Sequence, residues 1–231
     1  MTARPFAHRG LHGAGVSENG MAAFRAAIAA GFGIECDVRS SSDGVALLFH
    51  DEALPRMTGA YGDVGDKDVH ALDGLRLPDG GAIPQLEALL ALGKGEVPLL
   101  IEIKAEGRVV GATCAAVARD LARHPDALAA VMSFNPLALR WFARHSPQVP
   151  RGLVVTEQNR RGWGGAIRRS LALWAARPDF VACDIRDLPS PLSTRARRRG
   201  LPVLTWTVRS EADRARAAAH ADQIIYEVPK G

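Results

Sequence analysis

The sequence predicts an α/β chain closed into a (β/α)8 TIM barrel, with a small insertion at the barrel mouth. Three observations carry that expectation. Apolar, strand-like runs alternate with helix-period segments along nearly all of the 231 residues, the pattern of a parallel sheet covered by helices. No GxGxxG or GxxxxGKS/T follows an early strand, as nucleotide-binding open sheets often show. Polar residues recur at the C-terminal ends of several different strands, which is where barrels place their active sites.

Residues 4–8, 33–38, 45–50, 98–104, 128–133, 152–155, 180–184, 202–208 and 223–226 read as strands. Between them, residues 21–30, 86–92, 109–123, 136–145, 167–176, 192–199 and 211–219 carry helical patterns. Nine strands are one too many for the barrel. The 45–50 run follows the Asp43-Gly44 turn closely, which suits a hairpin arm at the mouth better than a crossover-linked strand. Residues 52–82 are rich in Gly, Asp and Pro and weakly periodic, so they read as an insertion folded over the mouth. No repeat, low-complexity segment or second domain interrupts the chain, and one barrel domain over residues 1–231 is expected.

Composition narrows the classes. A hydrophobic fraction of 47% suffices for one sizeable core. The net charge is +4, but 25 arginines against 4 lysines are scattered along the whole chain. That spread reads as a usage bias, and no nucleic-acid signature accompanies it. Cys36, Cys114 and Cys183 form no CxxC pair and read as buried, reduced thiols. No secretory signal is recognised, and no apolar run approaches the ~18 residues of a membrane span. The expected location is the cytoplasm.

Four segments carry the chemistry: His8-Arg9-Gly10, Glu35-Cys36-Asp37, His50-Asp51 and Glu102-Ile103-Lys104. Strand parity puts Glu35 and Asp37 on one face and Cys36 on the other. Glu102 and Lys104 likewise share a face opposite Ile101 and Ile103. The helix-facing layer is apolar, so the carboxylates point into the barrel. Three carboxylates there repel strongly, and a divalent cation removes the penalty. All-oxygen ligation suggests Mg2+ or Ca2+; the alternative is a carboxylate–arginine network that only stabilises the barrel. His8 and His50 can run a base and an acid step together. Arg9 and Lys104 can bind phosphate oxygens or neutralise neighbouring carboxylates.

These residues, with Glu18-Asn19, Ala23-Phe24, Gly31, Asp43-Gly44, Arg56-x-Thr58, Ser133-Phe134, Trp206-Thr207-Val208 and 222–229, resemble the glycerophosphodiester phosphodiesterases. The resemblance implies a (β/α)8 barrel that hydrolyses glycerophosphodiesters to glycerol 3-phosphate and an alcohol. It implies a divalent ion held by Glu35, Asp37 and Glu102, His8 and His50 as acid–base pair, and Arg9 and Lys104 on the phosphate. The chain departs from the family pattern in three places. Ser17-Glu18-Asn19-Gly20 replaces Pro-Glu-Asn-Thr, Arg209 stands where Asn is common, and Tyr226-Glu227-Val228-Pro229 replaces Thr-Asp-x-Pro.

Two weaker candidates end late strands. Trp206 could wall the glycerol or alcohol moiety or simply pack. Asp184 could bind glycerol hydroxyls or cap a helix. Residues 159–169 carry Arg160, Arg161, Trp163, Arg168 and Arg169, with Trp174 further on. A solvated helix face with arginine stems over apolar surface is the favoured reading there, with membrane contact second. The rival functions are a phospholipase of the D type acting on lysophospholipids or sphingomyelin, a phosphatidylinositol-type phospholipase C, and a non-catalytic phosphodiester-binding barrel.

Overall fold

The computed structural model describes residues 3–158 and 162–228. Asn159, Arg160 and Arg161 of the basic segment and Pro229 of the closing motif lie outside the described residues. The strands are β1 (Phe6–Ala7), β2 (Gly33–Ser40), β3 (Ala46–Leu48), β4 (Leu99–Ile103), β5 (Ala129–Ser133), β6 (Arg151–Val155), β7 (Phe180–Asp184), β8 (Val203–Val208) and β9 (Gln223–Tyr226). Eight of them pair in parallel in the order β1-β9-β8-β7-β6-β5-β4-β2, and β1 pairs with β2 to close the ring. β3 stays outside it. It runs antiparallel to β2, with Leu48 opposite Val38, after a turn in which Gly44 takes φ 81°. The 45–50 run is therefore the hairpin arm that its Asp-Gly turn suggested.

The helices are α1 (Met21–Ala29), α2 (Pro55–Thr58), α3 (Val69–Asp73), α4 (Leu86–Gly93), α5 (Gly111–Arg123), α6 (Pro136–His145), α7 (Trp163–Ala176), α8 (Pro191–Arg198) and α9 (Glu211–His220). Local chemistry sets several starts. Asn135 caps α6 ahead of Pro136, and Ser210 caps α9. Ser190 and Ser193 form a reciprocal capping box on α8. α7 begins four residues before the expected position. Gly164 and Gly165 weaken the helical signal there, yet the backbone stays helical through both.

Parity holds around the ring. Phe6, Leu100, Ala130, Met132, Val154, Phe180, Ala182, Leu204 and Ile225 fill the lumen. Ile34, Cys36, Val38, Leu99, Ile101 and Ile103 pack outward against Phe24, Ala27, Leu86, Leu89, Cys114 and Val117. All three cysteines are buried and free, and burial pushes the Cys114 and Cys183 thiols up to about 12. Residues 52–82 carry α2, a 3-10 turn (Val64–Asp66) and α3. They rest on a separate apolar cluster in which Leu54, Met57, Val64, Leu72 and Leu77 pack on Leu47 and Phe49 of the β3 arm. Among the described residues, no helix is long and apolar enough to cross a membrane.

One lumen position has no slack. A Cβ on Gly152 would sit 2.1 Å from the Phe180 ring, so glycine leaves the space that the neighbouring strand's aromatic fills. Gly152→Ala should cost about 1–3 kcal/mol through overpacking, read as a lowered melting temperature. Adding Phe180→Leu should restore part of the loss. An unchanged melting temperature in the single variant would show that the ring is free to move.

Candidate active site

β2 and β4 build the carboxylate cluster. Their register sets Asp37 beside Glu102, with Glu35 one step down the same face. Glu35 and Asp37 are 1% exposed and Glu102 7%, and one oxygen of each lies within 4.8 Å of the others. Asp37 accepts from Asn19 Nδ2 at 2.9 Å, and its own N–H donates to Asn19 Oδ1 at 3.0 Å. Lys104 Nζ lies 3.0 Å from Asp37 Oδ1 and donates to Glu102 Oε1 at 2.5 Å. Arg9 Nε is 3.0 Å from Asp37 Oδ2, close enough to pair but not aligned to donate. Glu35 Oε2 accepts the Arg9 backbone N–H at 3.0 Å, while Glu35 Oε1 is buried with no hydrogen-bond partner.

The charges do not cancel evenly. Burial opposes ionisation of Asp37, but Lys104 and Arg9 hold it well below the usual carboxylate range. Burial pushes Glu35 well above that range, and Asp37 and Glu102 add to the shift. Burial also raises Glu102, with Lys104 offsetting part of the rise. Arg9 is divided between this cluster and Glu18, which accepts from its Nη1 at 2.9 Å. A buried all-oxygen trio with surplus negative charge and an unpartnered oxygen suits a hard divalent cation, and these three residues could hold one.

A turn after β1 delivers the Arg9 contacts. Arg9 and Gly10 both take positive φ, 55° and 77°, and a Cβ on Gly10 would lie 2.8 Å from Ala23. The turn thus needs glycine at its second position, and it aims the Arg9 N–H at Glu35.

Both histidines are held by carboxylates. His8 Nδ1 lies 2.8 Å from Glu227 Oε2, and Arg209 donates to the same oxygen at 2.7 Å. Burial opposes the Glu227 charge, but His8 and Arg209 bring its pKa down to about 2. His50 Nδ1 lies 2.7 Å from Asp51 Oδ1, and Arg56 Nε bonds the other Asp51 oxygen. Against the same opposition from burial, Arg56 and His50 bring Asp51 to about 2. Arg56 also grips Glu18, at 2.6 and 3.1 Å. Glu18 in turn bonds Arg9, so the insertion is tied through it to the carboxylate cluster. Donation from Nδ1–H to a carboxylate leaves the lone pair of each imidazole on Nε2. His12 joins His8 and Glu227 in a second group with metal-ligand spacing, but His8 and Arg209 already meet the Glu227 charge.

His50, Glu102 and Lys104 open onto a cleft of about 900 Å³ that Arg39, Phe134 and Arg168 also line. Trp206 is half-buried over the lumen. It donates to the Ala182 carbonyl at 3.0 Å and meets Phe134 edge-on at 5.5 Å. Asp184 is engaged locally. It accepts the Arg186 N–H at 3.0 Å, capping the 3-10 turn Ile185–Asp187, and takes the Arg186 guanidinium at 2.6–3.2 Å. The α8 cap is Ser190. Sequence reasoning assigned no role to Asn19, Glu18, Arg56 or Glu227. Only the His50-Asp51 adjacency offered a local signal of its kind; Glu227 lies 219 positions from His8.

Three known proteins resemble this chain over nearly its whole length. A putative glycerophosphodiester phosphodiesterase of Bacillus subtilis is 28% identical, over 96% of this chain and 93% of that protein. A glycerophosphodiester phosphodiesterase of Caldanaerobacter subterraneus is 27% identical, over 97% and 93%. The crystal structure of a putative glycerophosphoryl diester phosphodiesterase from Silicibacter pomeroyi superposes with a TM-score of 0.83 at 26% identity, covering 98% of this chain and 90% of that one. The model of one family matches residues 8–230, nearly everything from the first histidine onward, and the chain belongs to that family, the glycerophosphoryl diester phosphodiesterases.

Proposed function

We propose that this enzyme hydrolyses glycerophosphodiesters to glycerol 3-phosphate and an alcohol, with His8 and His50 as its proton carriers. Family membership supports the reaction. One observation carries the mechanism: two imidazoles, each bonded at Nδ1 by a carboxylate, both lie near enough to the buried trio to act on the charge of Asp37. Nε2 of one histidine takes the proton from the attacking hydroxyl, either water or the substrate's own glycerol hydroxyl, and in the second case water then opens the resulting cyclic phosphate to glycerol 3-phosphate. The other enters the step as an imidazolium, and its Nε2–H protonates the leaving alkoxide. Arg9 and Lys104 are cations at the site, and they neutralise charge growing on the phosphoryl oxygens. Glu35, Asp37 and Glu102 would hold a divalent cation, Mg2+ or Ca2+, which when bound supplies Lewis-acid stabilisation of the phosphoryl group. Trp206, with Phe134 against it, walls the glycerol or alcohol side. Asp184, engaged by Arg186, shapes that rim. Three unpaired thiols suit a reducing compartment such as the cytoplasm.

Replacing either histidine tests the assignment. His8→Ala and His50→Ala should each lower kcat by at least ~100-fold, the scale of acid–base catalysis; near-wild-type turnover in either would sink it. Glycerol 3-phosphate release from soluble diesters, compared with choline release from lysophospholipid, separates this reading from a phospholipase of the D type.

Glu227 acts as a positioning residue for His8. Glu227→Gln should lower kcat by about 10–100-fold with little change in KM, and Glu227→Asp should recover part of it. Equal losses in kcat and in thermal stability for both variants would mark Glu227 as structural only.

Cation binding has a readout independent of turnover. Mg2+ or Ca2+ should raise the melting temperature of the wild type and leave that of Glu35→Gln unchanged. Treatment with EDTA should abolish glycerol 3-phosphate release. Full activity in EDTA, with no thermal shift, would leave the trio as a network that only stabilises the barrel.

A further inference from the structure

We propose that the outer face of α7 docks this protein on an anionic lipid bilayer. Trp163, Ile167, Leu171 and Trp174 recur at i, i+4, i+8 and i+11, so they form one stripe along the helix. They are 83%, 50%, 60% and 71% exposed. The arginine stems of this segment were expected to cover apolar surface and leave charge in water. The described residues add that two indoles and two aliphatic side chains of the same helix also face outward. A contiguous apolar stripe of this kind on a protein surface marks a contact.

The charges beside the stripe identify the partner. α8 lies next to α7, and Ala166, Ser170 and Leu173 face Arg195 and Arg199 across a shared groove. Arg195, Arg198 and Arg199 are exposed, and among the described residues their side chains make no ion pair. Arg168, also exposed, follows Ile167 on the helix. Indoles and aliphatics in line, flanked by arginine, match what an interfacial helix presents to anionic headgroups.

A second copy of the chain fits less well. A two-fold contact matches a face with itself and would bring Arg195, Arg198 and Arg199 toward their own symmetry mates. On an anionic bilayer the same charges attract. Docking also orients the site: α7 follows β6, so Trp163 lies at its mouth end, and Arg168 lines the cleft with His50 and Lys104. The cleft would then sit beside the headgroup layer. None of this depends on the phosphodiesterase chemistry.

The test is co-sedimentation of the full chain with vesicles of phosphatidylcholine, with and without phosphatidylglycerol. Binding should need phosphatidylglycerol and weaken as salt rises. Trp163→Ser/Trp174→Ser and Arg195→Gln/Arg198→Gln/Arg199→Gln should each lose at least about tenfold in vesicle affinity. Both should keep wild-type hydrolysis of soluble diesters and wild-type melting temperature, which separates failure here from failure of the proposed reaction. If the tryptophan variant does not fold, the arginine variant decides alone. Sedimentation indifferent to phosphatidylglycerol would overturn the proposal. So would a dimer in light scattering that the tryptophan variant dissociates, since the stripe would then belong to a second copy.

Discussion

Three carboxylates on two adjoining strands, in a lumen that screens them poorly, set the terms for the mouth of this barrel. Glu35, Asp37 and Glu102 are buried to within a few per cent, and each neighbouring charge answers to them. Lys104 lies between Asp37 and Glu102, and the left-handed turn at Arg9 brings a backbone N–H to Glu35. Asn19 pairs with both the side chain and the backbone of Asp37. Without such partners, burying three like charges would cost more than the surrounding packing could offset.

From this cluster the order spreads outward through shared ions. Arg9 is held by Glu18, Glu18 by Arg56, and Arg56 by Asp51, which orients His50. The 52–82 segment thus does more than cover the mouth, because its α2 supplies the arginine that holds Asp51 against His50. Its separate apolar cluster gives that arginine a rigid base, and the chain of ion pairs carries the rigidity back to the barrel.

The parts readable from sequence obey local rules. Alternating periods of 2 and 3.6 exposed the barrel, the Asp43-Gly44 turn exposed the β3 arm, and strand parity put Glu35, Asp37 and Glu102 on one inward face. Ion pairs across long separations were opaque. Glu227 looked like a departure from a motif, and its meaning lies in His8, which only ring closure brings near. The face of α7 was opaque for another reason. Periodicity shows that a helix has an apolar stripe but does not say which way the packing turns it, and two early glycines hid where the helix begins.

β1 is two residues long, yet it joins β2 to β9 and completes the ring. His8 follows β1 and Glu227 follows β9. The N–H of His8 bonds Tyr226, the last residue of β9, so this histidine is oriented only where the two ends of the barrel meet. On a ribosome, residue 8 emerges early and residue 227 more than two hundred residues later. The pairing of Ala7 with β2 and the bond from the Arg9 N–H to Glu35 place the His8 backbone from one side of the seam, but the carboxylate on its Nδ1 arrives only with β9. On the proposed chemistry, one proton carrier is therefore completed by the strand farthest from it in sequence, and the seam of the barrel is part of its site.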